Sequence, residues 1–316
     1  MKGWEFTGTN IPLKLVEKPD PTAKPGYVVI KTLAGGLCHS DVGALELESW
    51  MPLFQVPVIM GHECCGRIVE IGEGVEGYEI GDIVAVCPMD AKDGTTPGYT
   101  RDGGYGTMTT APVEQLIKVP EGVTPAQAAA ATDAGMTSRH AVVVNGGIQP
   151  GMKVGIIGIG GLGQFGLRIA VVKGCEVYVA TRKPSAQERA LSLGAKEVKA
   201  SITEFADKNL DVIIDFAGAG KTTADAINTV GQYGKVVVVG MAKDTAEINT
   251  YPIIFKELKI EGSQGSTTAD LRDCLELLAS GELDPAIHTC TFEEIGEGIE
   301  RLRRGEIDGR LVCIYD

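Results

Sequence analysis

The chain is predicted to be an α/β protein that joins a small all-β domain to a doubly wound parallel sheet, and three observations in its 316 residues predict this. From Gly26 onward, runs such as GYVVIKTLAGG, GRIVEIG and GDIVAV are rich in Val and Ile and punctuated by glycine turns, as in a small barrel or sandwich. After about residue 150 the rhythm changes. Apolar runs KVGIIGIG, EVYVAT, DVIIDFAG and KVVVVG then alternate with helix-spaced segments such as SAQERALSLGA and TTADAINTVGQYG, which implies β-α-β crossovers. Third, the first of those strands runs directly into Gly158, Gly160 and Gly163, a G-x-G-x-x-G turn that opens a helix.

Length suits two domains of ordinary size. A formal charge of −13 excludes general nucleic-acid binding, because it cannot neutralise phosphates over a large surface. The start, MKGWEFTGTN, lacks the apolar run of a secretory signal. The most apolar stretch, 154–172, is interrupted by six glycines, Gln164 and Arg168, so a buried soluble segment is expected and no membrane partner. Eight cysteines without a Cys-x-x-Cys pair argue against a disulfide scaffold or zinc finger and for a reducing cytoplasm. The tail from about Thr267 reads as a helix DLRDCLELLASGE, a second helix FEEIGEGIERLRRGE and a closing strand GRLVCIYD.

In the glycine turn, Gly158, Gly160, Gly161, Leu162 and Gly163 would let a pyrophosphate approach backbone amides at a helix N-terminus. NAD binders usually place Asp or Glu after the next strand to accept from the ribose hydroxyls. Here Thr181, Arg182 and Lys183 follow, a hydroxyl and two cations that suit a 2′-phosphate. NADP is therefore favoured, with NAD the alternative. Val239 and Gly240 end a later strand, at the sheet edge where ligands of such folds bind.

The stretch GHECCGRIVEIGEGV, 61–75, gathers His62, Glu63, Cys64 and Cys65. All are side-chain types that bind metals, and spacing alone does not say which are ligands.

With GLCHSD at 36–41, GEGVEGYEIGDIVAV at 72–86, the dinucleotide turn and the closing GRLV in the same order, the chain resembles the zinc-containing alcohol dehydrogenases of the medium-chain dehydrogenase/reductase superfamily over nearly its whole length. The resemblance implies a GroES-like β-barrel catalytic domain, 1–134 and 265–316, around a Rossmann domain, 135–264. It implies a catalytic zinc with Cys38 and His62 as ligands. Where relatives carry a third cysteine this chain reads TDAGMT, so Asp133 takes that place, and Glu63 is a plausible fourth ligand; Cys64 and Cys65 have no ligand role in the motif. Ser40 would pass the alcohol proton onward, Asp41 would orient the histidine, and His39, Thr137 and Arg310 would contact the cofactor, Arg310 at its pyrophosphate. Zinc in such a site acts as a Lewis acid on an alcohol or carbonyl oxygen while hydride passes to or from the nicotinamide. Trp50, Met51, Leu53 and Pro88 fall in segments that line the family's substrate pocket, and a homodimer or homotetramer is the family's usual assembly.

Three departures stand out. Gly43 replaces the histidine that ends the proton relay in many relatives. The segment after Cys87 has no four-cysteine lobe, so one metal per chain and no structural zinc is expected. The stretch 198–211 is short, as though a surface helix were trimmed. Two other functions fit parts of the pattern: a zinc-free NADPH-dependent alkene or quinone reductase of the same superfamily, and a non-catalytic NADP-binding redox sensor. The set Cys38, His62 and Asp133 with Ser40 counts against both.

Overall fold

Alternation of Val, Ile and aromatic residues drives the first part of the chain into short strands. These are β1 (Lys2–Phe6), β2 (Lys14–Glu17) and β3 (Tyr27–Leu37), then helix α1 (His39–Glu46), β4 (Val58–Ile59), β5 (Glu63–Ile71), β6 (Ile83–Val86), β7 (Met108–Pro112), β8 (Leu116–Lys118) and helix α2 (Pro125–Ala130). Strand β1 pairs antiparallel with β2 and β4 in a three-stranded sheet of its own. Helix α2 starts where a helix should: Pro125 follows the cap residue Thr124, and Thr124 and Gln127 bond each other's backbone N–H reciprocally. The computed structural model describes residues 1–316.

The second unit, Ala134–Ser266 with Glu282–Pro285, holds α3 (Met136–Arg139), β9 (Lys153–Ile157), α4 (Gly161–Val172), β10 (Glu176–Ala180), α5 (Pro184–Ser192), β11 (Glu197–Lys199), β12 (Val212–Asp215), α6 (Lys221–Thr229), β13 (Lys235–Val238), α7 (Thr250–Phe255) and β14 (Lys259–Gly262). Its sheet is fully parallel in the order β11-β10-β9-β12-β13-β14, with the order reversing at β9. That is the doubly wound Rossmann arrangement, whose ligands sit beyond the carboxyl ends of the strands. Ile157, Tyr178, Phe205, Leu210, Ile213, Ile227 and Val236 form its core on one face. Between β11 and β12 the chain makes one 3-10 turn, Ile202–Phe205.

The first unit is completed by α8 (Thr268–Ala279), β15 (Ile287–Cys290), α9 (Ile295–Arg303) and β16 (Arg310–Ile314). Strand β16 pairs antiparallel with the end of β3, Leu311 opposite Leu37, giving a larger sheet ordered β15-β16-β3-β5-β6-β8, and β7 pairs antiparallel with the first half of β3, Tyr27–Lys31. Val28, Ile30, Ile68, Val84, Val86, Ala111 and Leu116 fill the space it encloses. A second cluster holds Phe6, Leu37, Ile59, Met60, Tyr105, Ile299 and Leu311, with Leu37 beside Cys38 and Met60 two residues from His62 in the chain. No helix is long and apolar enough to cross a membrane.

Candidate metal centre and cofactor turn

Four side chains meet at one end of the large sheet. Cys38 caps α1, His62 and Glu63 stand where β5 begins, and Asp133 lies in a stretch of π-helix, Ala131–Gly135, after α2. One ligand atom from each of Cys38, His62, Glu63 and Asp133 lies within 4.8 Å of the others. Cys38 Sγ is 3.3 Å from Asp133 Oδ2, and His62 Nε2 is 3.8 Å from the same oxygen. Ligands around a tetrahedral zinc, with bonds of about 2.0–2.3 Å, stand roughly 3.3–3.8 Å apart. One thiolate, one imidazole and two carboxylates are a donor set that zinc accepts. The residues present fit such an ion.

The motif glycines make this approach possible. A Cβ at Gly36 would lie 1.9 Å from Glu63 Oε2, so only glycine leaves room for that carboxylate between β3 and β5. Gly61 has φ +94° and would drive a Cβ to within 2.7 Å of the Tyr105 backbone nitrogen. The spacing of GLCHSD and GHE is thus steric as well as chemical.

Around the cluster, Asp41 is 1% exposed; its Oδ2 accepts the Cys38 N–H at 2.9 Å and its Oδ1 faces His62 Nδ1 at 3.5 Å. Ser40 Oγ is 3.4 Å from Cys38 Sγ. Tyr99 sets its ring 5.6 Å from the His62 ring and stacks on Phe54 at 4.5 Å. Burial pushes the Tyr99 phenol up to about 12 against the pull of His62. Burial opposes the charged form of His62, but Tyr99, Asp41 and Asp133 outweigh it and hold its pKa well above the usual imidazole value in the metal-free site.

Arg310, which the resemblance places at the pyrophosphate, is paired with two carboxylates of the cluster. It is 3% exposed; its Nε donates to Glu63 Oε2 at 3.1 Å, a second nitrogen donates to Glu63 Oε1, and that nitrogen also donates to Asp133 Oδ2 at 2.6 Å. A buried carboxylate, Glu63, and a half-buried one, Asp133, attract the nearest cation, and β16 delivers it beside β3. This ion pair was missed in the sequence, where Arg310 lies 247 positions from Glu63.

Cys64 and Cys65 lie inside β5, both 0% exposed. Burial pushes the Cys64 thiol up to about 12 and the Cys65 thiol well above its usual value, so both stay protonated. Trp50 and Met51 are half-buried against the cluster of Phe6 and Leu37, Pro88 is buried, and Leu53 is exposed. The Trp50 indole fills the space beside Gly43: a Cβ at Gly43 would lie 3.2 Å from its Cζ2.

In the second unit, Gly158 has φ +86°, and a Cβ at Gly163 would strike its carbonyl oxygen at 1.8 Å. Gly160 is exposed and Gly161 and Leu162 are half-buried as α4 begins. The Ser138 hydroxyl, in α3 beside buried Thr137, donates to the Leu162 carbonyl at 2.8 Å and pins this turn. Thr181 is half-buried and Arg182 and Lys183 are exposed between β10 and α5, while Val239 and Gly240, expected to end a strand, follow β13 half-buried. His39 is exposed at the start of α1, in the first unit.

A parallel sheet of this order behind a glycine turn, with a β domain that gathers metal-type ligands, defines a dehydrogenase-like two-domain protein. Residues 24–121 match the alcohol dehydrogenase GroES-like domain and residues 161–280 the zinc-binding dehydrogenase domain. An alcohol dehydrogenase of Geobacillus stearothermophilus is 30% identical, with 95% of each chain covered. The acetophenone reductase of Geotrichum candidum, solved in complex with NAD, superposes with a TM-score of 0.91 at 32% identity, covering 99% of this chain and 97% of that one. The alcohol dehydrogenase of Aeropyrum pernix superposes with a TM-score of 0.92 at 26% identity over 100% of both chains. The chain belongs to the zinc-type alcohol dehydrogenase family of the medium-chain dehydrogenase/reductase superfamily, and is an oxidoreductase of small alcohols or carbonyl compounds.

Proposed function

We propose that this protein is a zinc-dependent alcohol dehydrogenase or carbonyl reductase that transfers hydride between NADP(H) and an alcohol or its aldehyde or ketone. The observation that carries the reading is the convergence of Cys38, His62, Glu63 and Asp133 within 4.8 Å. Bound there, zinc would supply Lewis acidity toward the substrate oxygen. Asp41 orients His62 and the Cys38 backbone; Ser40, beside the thiol, takes the alcohol proton. Arg310 holds the carboxylates of Glu63 and Asp133 in place and neutralises part of their charge. Trp50 closes the side of Gly43, where many relatives carry a histidine, so the proton leaves through water or another group. Elemental analysis of the purified protein beside NADPH-dependent reduction of a simple ketone tests the reading. About one zinc per chain with ketone reduction is the expected result; protein that binds NADPH without zinc would sink it and favour the alkene reductase or the sensor.

Support for NADP comes from Thr181, Arg182 and Lys183 at the end of β10, where no carboxylate stands to repel a 2′-phosphate. The relative solved with NAD makes the choice worth measuring. Replacing Arg182 and Lys183 together by alanine is expected to raise KM for NADPH by about 10- to 100-fold through lost charge-assisted hydrogen bonds, with KM for NADH little changed. Equal losses for both coenzymes would reverse the assignment.

Self-association is proposed through the second unit. Strand β14 ends the sheet, Ile260 on it is 43% exposed, and Tyr251, Ile254 and Phe255 of α7 are each more than 60% exposed. An open edge beside a wide apolar patch suits an isologous partner, a second copy of this chain. Light scattering should give a dimer or tetramer for the unaltered protein, and Ile254→Glu with Phe255→Glu should shift it to monomer. A cytoplasmic location is consistent with eight free cysteines, seven of them buried.

A further inference from the structure

Tyr105 is a fully buried phenol that no step above uses. Its hydroxyl donates to Asp41 Oδ2 at 2.6 Å, the same oxygen that accepts the Cys38 N–H at 2.9 Å. The other carboxylate oxygen, Oδ1, is left toward His62 Nδ1, 3.5 Å away. The backbone of Tyr105 is tied to the segment that carries His62. Its N–H donates to the Met60 carbonyl at 2.9 Å, the Gly103 N–H to Ile59 at 2.8 Å and the Gly104 N–H to Gly61 at 2.7 Å. A Cβ at Gly61 would lie 2.6 Å from the ring at Cδ1, so ring and glycine are in direct contact. One residue therefore touches the segment of His62 by its backbone and ring, and the start of α1, with Cys38, by its hydroxyl.

We propose that Tyr105 is a positioning residue for the metal-ligand set: its hydroxyl fixes the Asp41 carboxylate so that one oxygen holds Cys38 and the other serves His62. The inference deepens the metal-site reading and rests on it. A carboxylate 1% exposed needs donors on its oxygens; beside the Tyr105 hydroxyl, the Cys38 backbone N–H donates to it, while His62 Nδ1 faces its other oxygen at 3.5 Å without a hydrogen bond. Phenylalanine would fill the same space and leave the carboxylate free to turn. Groups behind metal ligands set ligand orientation and thereby metal affinity.

The test compares the unaltered protein with Tyr105→Phe by zinc competition against a chromophoric chelator, by visible absorption of the cobalt(II)-substituted protein and by crystal structures of both metal-free proteins. Zinc binding about tenfold weaker, shifted cobalt bands and a rotated Asp41 carboxylate with displaced His62 are expected. A role in packing alone would lower the melting temperature and leave affinity and bands unchanged, and that result overturns the proposal. If the unaltered protein takes up neither metal, the metal-site reading fails by itself, and the crystal structures decide on Tyr105. Unmoved Asp41 and His62 side chains in the Phe variant then overturn the proposal, and displaced ones support it.

Discussion

Replacing Asp133 by alanine is expected to strip the protein of zinc and to lower kcat/KM for ketone reduction by roughly 1000-fold, since a Lewis acid supplies several kcal/mol of transition-state stabilisation and each 1.36 kcal/mol is tenfold. Asp133 Oδ2 is the atom about which the site closes: Cys38 Sγ at 3.3 Å, His62 Nε2 at 3.8 Å and Arg310 at 2.6 Å all meet it. Its loss removes one of the four candidate ligands and also leaves the Arg310 guanidinium with Glu63 alone. The guanidinium would then neutralise the one carboxylate left to bind metal. Metal content measured with activity checks this, and an alanine variant that retains full zinc would move the third ligand to Glu63. The same site gives a pH dependence with a definite sign. His62 must be neutral to ligate, and its pKa in the metal-free protein is raised, so protons compete more strongly than for an ordinary imidazole. Zinc affinity should fall as pH drops below that raised value, and chelator competition across pH would measure the fall.

The second large effect lies in the cofactor domain. Asp215 ends β12 with 0% exposure and accepts four hydrogen bonds: Ala217 and Gly218 N–H at 3.0 Å each, and the Thr222 and Thr223 hydroxyls at 2.8 and 2.9 Å. This network shapes the turn that presses against the next strand, where a Cβ at Gly218 would strike the Gly240 carbonyl oxygen at 1.7 Å. Asp215→Ala orphans two backbone donors and two hydroxyls in the interior, at a cost of about 3–5 kcal/mol. The melting temperature should drop by roughly 10 °C, and calorimetry would detect it. A drop of less than about 2 °C would mean the turn holds without its carboxylate.

Much of this molecule was legible in the sequence for identifiable reasons. The parallel sheet announces itself because strands buried on both faces read as unbroken apolar runs: the runs DVIIDFAG and KVVVVG contain β12, VIID, and β13, KVVV, with longer bounds than the strands. The glycine turn is readable because each glycine answers a steric demand of the backbone, and GLCHSD and GHE because Gly36 and Gly61 do the same beside the ligands. Three features were not legible. The three-stranded sheet of β1, β2 and β4 rests on pairings between distant short segments, two of them with weak apolar patterning. The π-helical turn at Asp133 has no periodicity of its own, since one extra residue per turn leaves no pattern in five residues. The partners of Arg310 and Tyr105 are set by tertiary contacts across 247 and 64 positions, beyond any local signal.

The Trp50 indole lying over Gly43 couples two positions into one inheritance. Alanine at 43 asks the ring to yield a fraction of an ångström, whereas an imidazole there needs the space the indole occupies. A lineage that began with this pair can acquire a histidine relay only by shrinking residue 50 in the same step or before it. Tryptophan and glycine should therefore tend to be kept or lost together among descendants, and a library randomised at position 43 alone would return glycine and alanine over the larger residues.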